Sequence, residues 1–257
     1  MITLTSDFGL KDPYVAEMKG VILTINPQAT IIDVTHSVEK FDIRVGAFVL
    51  ASAAPYFPKD TIHLAVIDPD VGTERRAILI QTKRGFFVGP DNGVLMLAAQ
   101  NQGIEHLYEL SNPTFTLPKV SNTFHGRDVF APAAAYLDRG VKPSEFGPEI
   151  AEAATIKFPS VERRNGSLIG EVWHIDDFGN IITNISQKDL PQNRVVNVKL
   201  PGVLQNISFG KTYSKAKPNE PLALIGSHGF LEIALNQGNA AEKFQAKTGD
   251  KIEVSHD

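Results

Sequence analysis

The chain contains no cysteine, which excludes disulfide bonds, thiolate nucleophiles and cysteine-held metal sites together. No apolar run is long enough for a membrane span or a secretory leader, and Met1 leads straight into the strand-like MITLT, so no membrane partner and a cytoplasmic location are expected. Long basic blocks are also missing, and the net charge is −4. That removes the electrostatic footprint of a nucleic-acid binder and points to a small-molecule partner. No G-x-G-x-x-G follows the first strand and no P-loop occurs anywhere, which argues against a dinucleotide or a triphosphate and leaves a nucleoside without phosphates open. Neither H-E-x-x-H nor G-x-S-x-G is present, so no metal and no cofactor are expected, and no nucleophile-elbow chemistry.

What the chain does contain is apolar material, 42% of 257 residues, enough for one large or two modest cores. Met1 to Thr5 reads as a buried strand, and Asp12 with Pro13 as the N-cap and first position of a helix. Val15, Met18, Ile22 and Ile25 recur at helical spacing until Asn26-Pro27 stops the pattern. Strand composition returns over Thr30 to Val38, and an alanine-rich helix is expected over Asp42 to Ala54. Ile62 to Ile67, Ala77 to Ile80 and Phe86 to Val88 read as further strands. A helix is expected to begin near Asn92, and another to be capped by Asp128. Alternation of strand and helix predicts an α/β N-terminal domain with a mostly parallel sheet flanked by helices. Gly140 to Asn165, with three prolines and no sustained period, reads as a connection. Beyond it SLIGEVWHID, IITNI, RVVNVKL, LQNISF, PLALIG, LEIAL and KIEVS are short alternating runs, which predicts an all-β, barrel-like C-terminal domain. The expected division is residues 1–150, a linker over 151–165, and 166–257.

The stretch from Ile62 to Gln81, IHLAVIDPDVGTERRAILIQ, sets a short charged turn between two buried strands. Asp68 closes the first and Arg75 precedes the second, so the turn can join a carboxylate to a guanidinium at a strand terminus; a weak exposed ion pair fits the same residues. The HGRD turn offers His125 as a proton carrier, against the plainer reading of a solvated histidine beside a local Arg127–Asp128 pair. Ligands of open α/β sheets gather beyond the carboxyl ends of the strands, so Asp7, Asp68, Asn92 and His125 are expected to share a crevice. Asp7, placed after the first strand, suits a ribose diol. In the second domain the IDDFGN turn brings Asp176, Phe178 and Asn180 together. An ordinary hairpin turn would use the same residues, yet a ring face beside an amide suits a purine and a carboxylate suits an ammonium. Tyr213, Ser227 and His228 are further aromatic or polar turn residues.

Taken together, SDFG near the start, NP at 26 and 27, IDPDVGTERR, PDNG at 90 to 93, NTFHGRD, IDDFGN and SHGFLEIALNQGNA resemble the S-adenosylmethionine hydroxide adenosyltransferase family. Fluorinating and chlorinating enzymes that act on the same substrate are its relatives. The resemblance spans nearly the whole chain in the family's order. It implies an α/β domain followed by a β-barrel, a homotrimer, and a site between the first domain of one subunit and the second domain of its neighbour. The implied reaction is cofactor-free hydrolysis of S-adenosylmethionine to adenosine and methionine, with a chlorinase-like adenosyltransferase that uses halide, or a non-catalytic binder of adenosine or S-adenosylmethionine, as the alternatives. The family's Asp-Arg-His set falls on Asp68, Arg75 and His125, a charged set that the halogenating relatives lack. By the same resemblance Asp7 would hold the ribose hydroxyls, Phe178 and Tyr213 would flank the adenine, and Asn180 would read its edge. Asp176 would take the methionine ammonium and Ser227 its carboxylate, with Asp12, Phe41, Asn92 and Phe124 completing the substrate-binding set. Tyr14 and His228 stand where the halogenating relatives have serine and arginine.

Overall fold

The computed structural model describes residues 1–190, 197–200 and 203–255; residues 194–196 of the expected RVVNVKL strand lie outside the described residues. The chain divides into two compact units, Met1–Ile156 and Lys157–Asp257.

In the first unit the elements run β1 (Ile2–Ser6), α1 (Tyr14–Ile25), β2 (Ile31–Thr35), α2 (Ile43–Ala53), β3 (Thr61–Val66), β4 (Ala77–Thr82), β5 (Gly85–Pro90), α3 (Met96–Gln102), β6 (Ile104–Glu109) and α4 (Ala131–Asp138). They build one sheet of order β2-β1-β3-β5-β4-β6. The pairings β2–β1, β1–β3 and β3–β5 are parallel, whereas β5–β4 and β4–β6 are antiparallel. The sheet is therefore mixed, and the reason is local. Only Lys83 and Arg84 separate β4 from β5, and a two-residue connection can close nothing but an antiparallel hairpin.

Side-chain alternation along the central strands feeds two cores. Ile62, Leu64 and Val66 of β3 pack with Met18 and Ile22 of α1 and with Ala133 and Ala134 of α4. Ala65 and Ile67 point the other way, joining Val45 and Leu50 of α2 and Ala98 and Ala99 of α3. Helices thus cover both faces, as parallel strands require. The order β2-β1-β3 makes the gap between β1 and β3 the place where the chain reverses its direction across the sheet. Asp7 and Asp68 follow the ends of those two strands.

Three helix starts differ from expectation. Helix α1 begins at Tyr14, with Pro13 already helical in the cap position and no side-chain cap, so Asp12 is not the N-cap. Helix α3 begins at Met96, not near Asn92, whose amide instead bonds the backbone of Ile67 and Val94. Asp128 does not cap α4 either; it is fully buried inside a π-helical turn, Gly126–Phe130, that runs into that helix. Asp42 does cap α2, accepting from the Val45 N–H at 2.9 Å. Much of the proline-bearing stretch from Gly140 is also structured: Phe146 is core, and Pro148 and Ile150 exchange backbone bonds with Glu109 and Leu107.

The second unit contains β7 (Glu162–Arg164), β8 (Ser167–Ile175), β9 (Ile181–Ser186), β10 (Asn197–Leu200), β11 (Val203–Asn206), β12 (Ser208–Phe209), β13 (Pro221–Ile225), β14 (Phe230–Leu235), α5 (Ala240–Phe244) and β15 (Lys251–Ser255). Its described strands follow one path, β11-β10-β15-β8-β9-β14-β13-β12, with β7 on β8. Strand β8 divides its pairing: Ser167 to Glu171 match β15, and Val172 to Ile175 match β9. One strand thereby serves both halves of a barrel-like wall around Leu168, Val172, Ile181, Ile233 and Ile252. The short helix α5, capped by Asn239, and a single 3₁₀ turn at Tyr213–Lys215 are the helical pieces of an otherwise all-β unit among the described residues.

Gly72 shows how tightly the β3–β4 turn is seated. It has φ of 80°, and a Cβ there would collide with the Asn122 carbonyl of the turn that precedes His125. Gly72→Ala should therefore destabilise the protein by about 1–3 kcal/mol, read as a lowered urea midpoint with unchanged slope.

Candidate active site

A cavity of about 620 Å³ opens at the carboxyl edge of β1 and β3 in the first unit, a size ordinary for a small-molecule site. Asp7, Asp12, Phe41, Asp68, Phe124 and His125 all line it. Arg75 stands behind, and three of its bonds fix the centre of the site. Its Nε donates to Asp68 Oδ1 at 2.9 Å and its Nη2 to Oδ2 at 2.5 Å, while the same Nη2 donates to His125 Nδ1 at 2.8 Å. The guanidinium also lies 5.3 Å from the Phe130 ring centroid. Side-chain exposure is 8% for Arg75 and 4% for Asp68, so this is a nearly dry, two-pronged pair and not a loose surface one.

A guanidinium can only donate, so His125 Nδ1 is the acceptor and the ring proton resides on Nε2. Burial, reinforced by the charge of Arg75 and opposed in part by Asp68 and Asp128, holds the His125 pKa below its ordinary 6.5. The imidazole is neutral at pH 7. Asp128 keeps the turn in place from beneath, accepting from the Ser121 N–H at 2.7 Å and from Arg127 Nε at 2.6 Å.

Asp7 is 5% exposed, and its Oδ2 accepts from the Phe41 N–H at 2.9 Å. Phe41 adopts φ of 65°, unusual for a bulky residue, and the residue is 68% exposed at the cavity. Lys40 ties the same strap down by donating to the Asp7 carbonyl. Phe124 makes edge contacts with Tyr14 at 5.1 Å and Phe8 at 5.7 Å, and Arg127 lies over its ring at 5.1 Å. Asn92 is not brought to the cavity; its amide donates to the Ile67 carbonyl at 2.8 Å and so steadies the strand end just before Asp68.

A second cavity, about 590 Å³, lies in the second unit, and Asp176, Phe178, Asn180 and Tyr213 line it. Asp176 organises the β8–β9 turn. Its Oδ1 accepts from the N–H groups of Phe178 and Asn180 at 3.0 and 2.9 Å, and its Oδ2 from Asn180 Nδ2 at 2.9 Å. The side-chain Oδ1 of Asn180 is the atom placed to accept from a donor. Phe178 is 78% exposed, a large ring with little packing of its own. Ser227 sits exposed in the β13–β14 turn and does not line this cavity.

Sequence reading missed Phe8, Lys40 and Arg127 around the first cavity, and Glu232 behind the second. Phe8, Arg127 and Glu232 lay inside the quoted stretches SDFG, NTFHGRD and SHGFLEIALNQGNA without being singled out for the site, whereas Lys40 belongs to none of them and stands out only through contacts made in the fold.

Residues 2–147 match the SAM hydroxide adenosyltransferase N-terminal domain and residues 170–253 its C-terminal domain. The (R)-S-adenosyl-L-methionine hydrolase of Salinispora arenicola is 39% identical, covering 99% of this chain and 97% of the relative. The crystal structure of an uncharacterized conserved protein from Thermotoga maritima superposes with a TM-score of 0.95 at 39% identity over the whole of both chains. A fluorinase of an Actinoplanes species is more distant, 28% identical over 99% of this chain and 97% of its own. Two matched domains in order, and near-complete coverage of a 39% identical relative, make this chain a member of the SAM hydroxide adenosyltransferase family.

Proposed function

We propose that this protein hydrolyses S-adenosyl-L-methionine to adenosine and L-methionine, needing no cofactor. The observation that carries the reading is the Asp68–Arg75–His125 network at the wall of a cavity that also holds Asp7. The chain's 39% identity to the (R)-S-adenosyl-L-methionine hydrolase of Salinispora arenicola supports it. In the proposed step a water oxygen attacks the ribose C5′ in line with the departing sulfur. The C–S electron pair returns to sulfur, neutral methionine leaves, and the excess proton on the newly bonded oxygen is taken by the Asp68 carboxylate on its way to solvent, giving the 5′-hydroxyl of adenosine. Asp68 is a fixed anion with Oδ1 the less engaged oxygen, so it accepts a hydrogen bond from the water and orients it. The same charge repels chloride and fluoride, which selects oxygen as nucleophile. Sulfonium and incoming oxygen neutralise one another's charge, a change that a dry site favours.

His125 enters as a donor in its resting state. Its Nδ1 is committed to Arg75, so taking up the departing proton there would require that bond to break. We therefore assign the imidazole to orienting the water through Nε2–H, with relay of the proton as a late event.

In the second unit we assign Phe178 and Tyr213 to the adenine faces, Asn180 to its edge, and Asp176 to the methionine ammonium, with Ser227 at the carboxylate. Residues assigned to the nucleoside thus divide between the two units, Asp7 on one and Phe178, Asn180 and Tyr213 on the other. That division suits a homotrimer whose sites are shared between neighbouring copies, and a cytoplasmic protein with access to this metabolite. No helix of the described residues is long and apolar enough to cross a membrane.

Purified protein incubated with S-adenosylmethionine should release adenosine and methionine, and with chloride supplied the product should still be adenosine. Asp68→Asn should lower kcat by about 10²–10⁴-fold while adenosine still binds; adenosine formation at the wild-type rate by this variant would sink the assignment. Because His125 titrates below 6.5, turnover should hold level down through that pH and fall only on further acidification, as the protonated ring loses the Arg75 bond. A fall centred above 6.5 would contradict this. Light scattering should give three times the mass of the 28.0 kDa chain.

A further inference from the structure

Strand β14 is buried from Leu231 to Leu235, and Glu232 is the only charged residue on it, 6% exposed. A carboxylate in an apolar wall is costly unless a partner holds it. Its Oε1 accepts a hydrogen bond from the Tyr213 hydroxyl at 2.7 Å. Burial raises the Glu232 pKa; the phenol bond opposes that shift, and the charge of Asp176 adds to it. Burial, followed by the bond to Glu232 and its charge, likewise raises the Tyr213 pKa, so the proton stays on the phenol. Tyr213 itself starts a single 3₁₀ turn, Tyr213–Lys215, and the residue is 42% exposed beside the cavity. Packing alone gives such a ring little reason to keep one pose.

Gly226 supplies an independent observation. It lacks a left-handed φ, so its backbone gives no reason for glycine. A Cβ built there would lie 2.5 Å from Glu232 Oε2, and its three nearest neighbours would all be atoms of Glu232. The residue is glycine where the carboxylate needs the space.

We infer that Glu232 is a positioning residue for the nucleobase. Its carboxylate holds the Tyr213 ring in the pose that flanks the base, and Gly226 leaves the room in which the carboxylate sits. This rests on the reading of the second cavity as the adenine site. Glu232 touches no ligand in this scheme and acts only through Tyr213.

The test is calorimetric titration of adenosine into the full-length protein, with steady-state kinetics alongside. Glu232→Leu, which fills similar volume without an acceptor, should weaken adenosine binding about tenfold and raise KM by a like factor, with kcat changed less than about twofold. Glu232→Gln keeps an acceptor for the phenol and should restore binding to within about threefold of wild type. Tyr213→Phe should match Glu232→Leu, and the double variant should be no weaker than either single one, because both remove the same bond. Gly226→Ala displaces the carboxylate without removing it, and should weaken binding in the wild-type background but not beside Glu232→Ala. That pair carries the test if Glu232→Leu fails to fold. Wild-type binding retained in Glu232→Leu and in Gly226→Ala, or additive losses in the double variant, would overturn the positioning role while leaving the adenine site intact. Wild-type protein that binds neither adenosine nor S-adenosylmethionine would overturn the site itself.

Discussion

The first unit depends on a single nearly dry ion pair. Moving a carboxylate and a guanidinium out of water is costly, and their attraction offsets that cost only if the geometry is good and the remaining hydrogens find partners. Here the fork of Arg75 meets both oxygens of Asp68, a further hydrogen reaches His125, and the flat cation rests near Phe130. Lysine, with a point charge and no fork, could not meet these three partners at once. Two turns from distant parts of the chain must therefore approach closely, and Gly72 against the Asn122 carbonyl is the contact where that approach is tightest.

The same pair sets the charge state of its neighbour. A cation bonded to Nδ1 and partial burial keep the imidazole neutral, so the site presents one fixed anion and one neutral donor to whatever enters. Such an arrangement can orient a water and repel a halide, and it contains no strong base. A leaving group that departs as a neutral thioether makes little demand for one. In the second unit the organising devices are weaker but similar in kind: a carboxylate folds the turn that carries Asn180, and another fixes the Tyr213 hydroxyl.

Particular residues show where sequence reading reached and where it stopped. The strands around Leu64, Leu79 and Val88 were legible because they are continuous apolar runs, whereas β6, with Glu105, His106 and Glu109 on a sheet edge, lacks that pattern and was not expected. Asp12 and Asp128 both stand just before helices and both look like caps. One is exposed at the cavity and the other is locked beneath Arg127, because the helices start at residues whose backbone was already helical. Asn92 was expected in the crevice and instead serves the backbone behind Asp68. Glu232 follows the alternation of an outward-facing polar residue, yet both faces of its strand are covered, and alternation cannot report that.

By itself the sequence determined most of the order of strands and helices, the change from α/β to all-β architecture, and the turns that carry Asp68, Arg75, His125, Asp176 and Asn180. It could do so because periodicity and turn chemistry are local, written within a dozen residues. Only the tertiary structure decided that Arg75 bonds His125 fifty positions away, that β4 and β6 run antiparallel, and that the carboxylates of Asp68 and Glu232 are buried. Burial and long-range pairing are properties of how surfaces close on one another, and no single stretch of chain contains the surface that covers it.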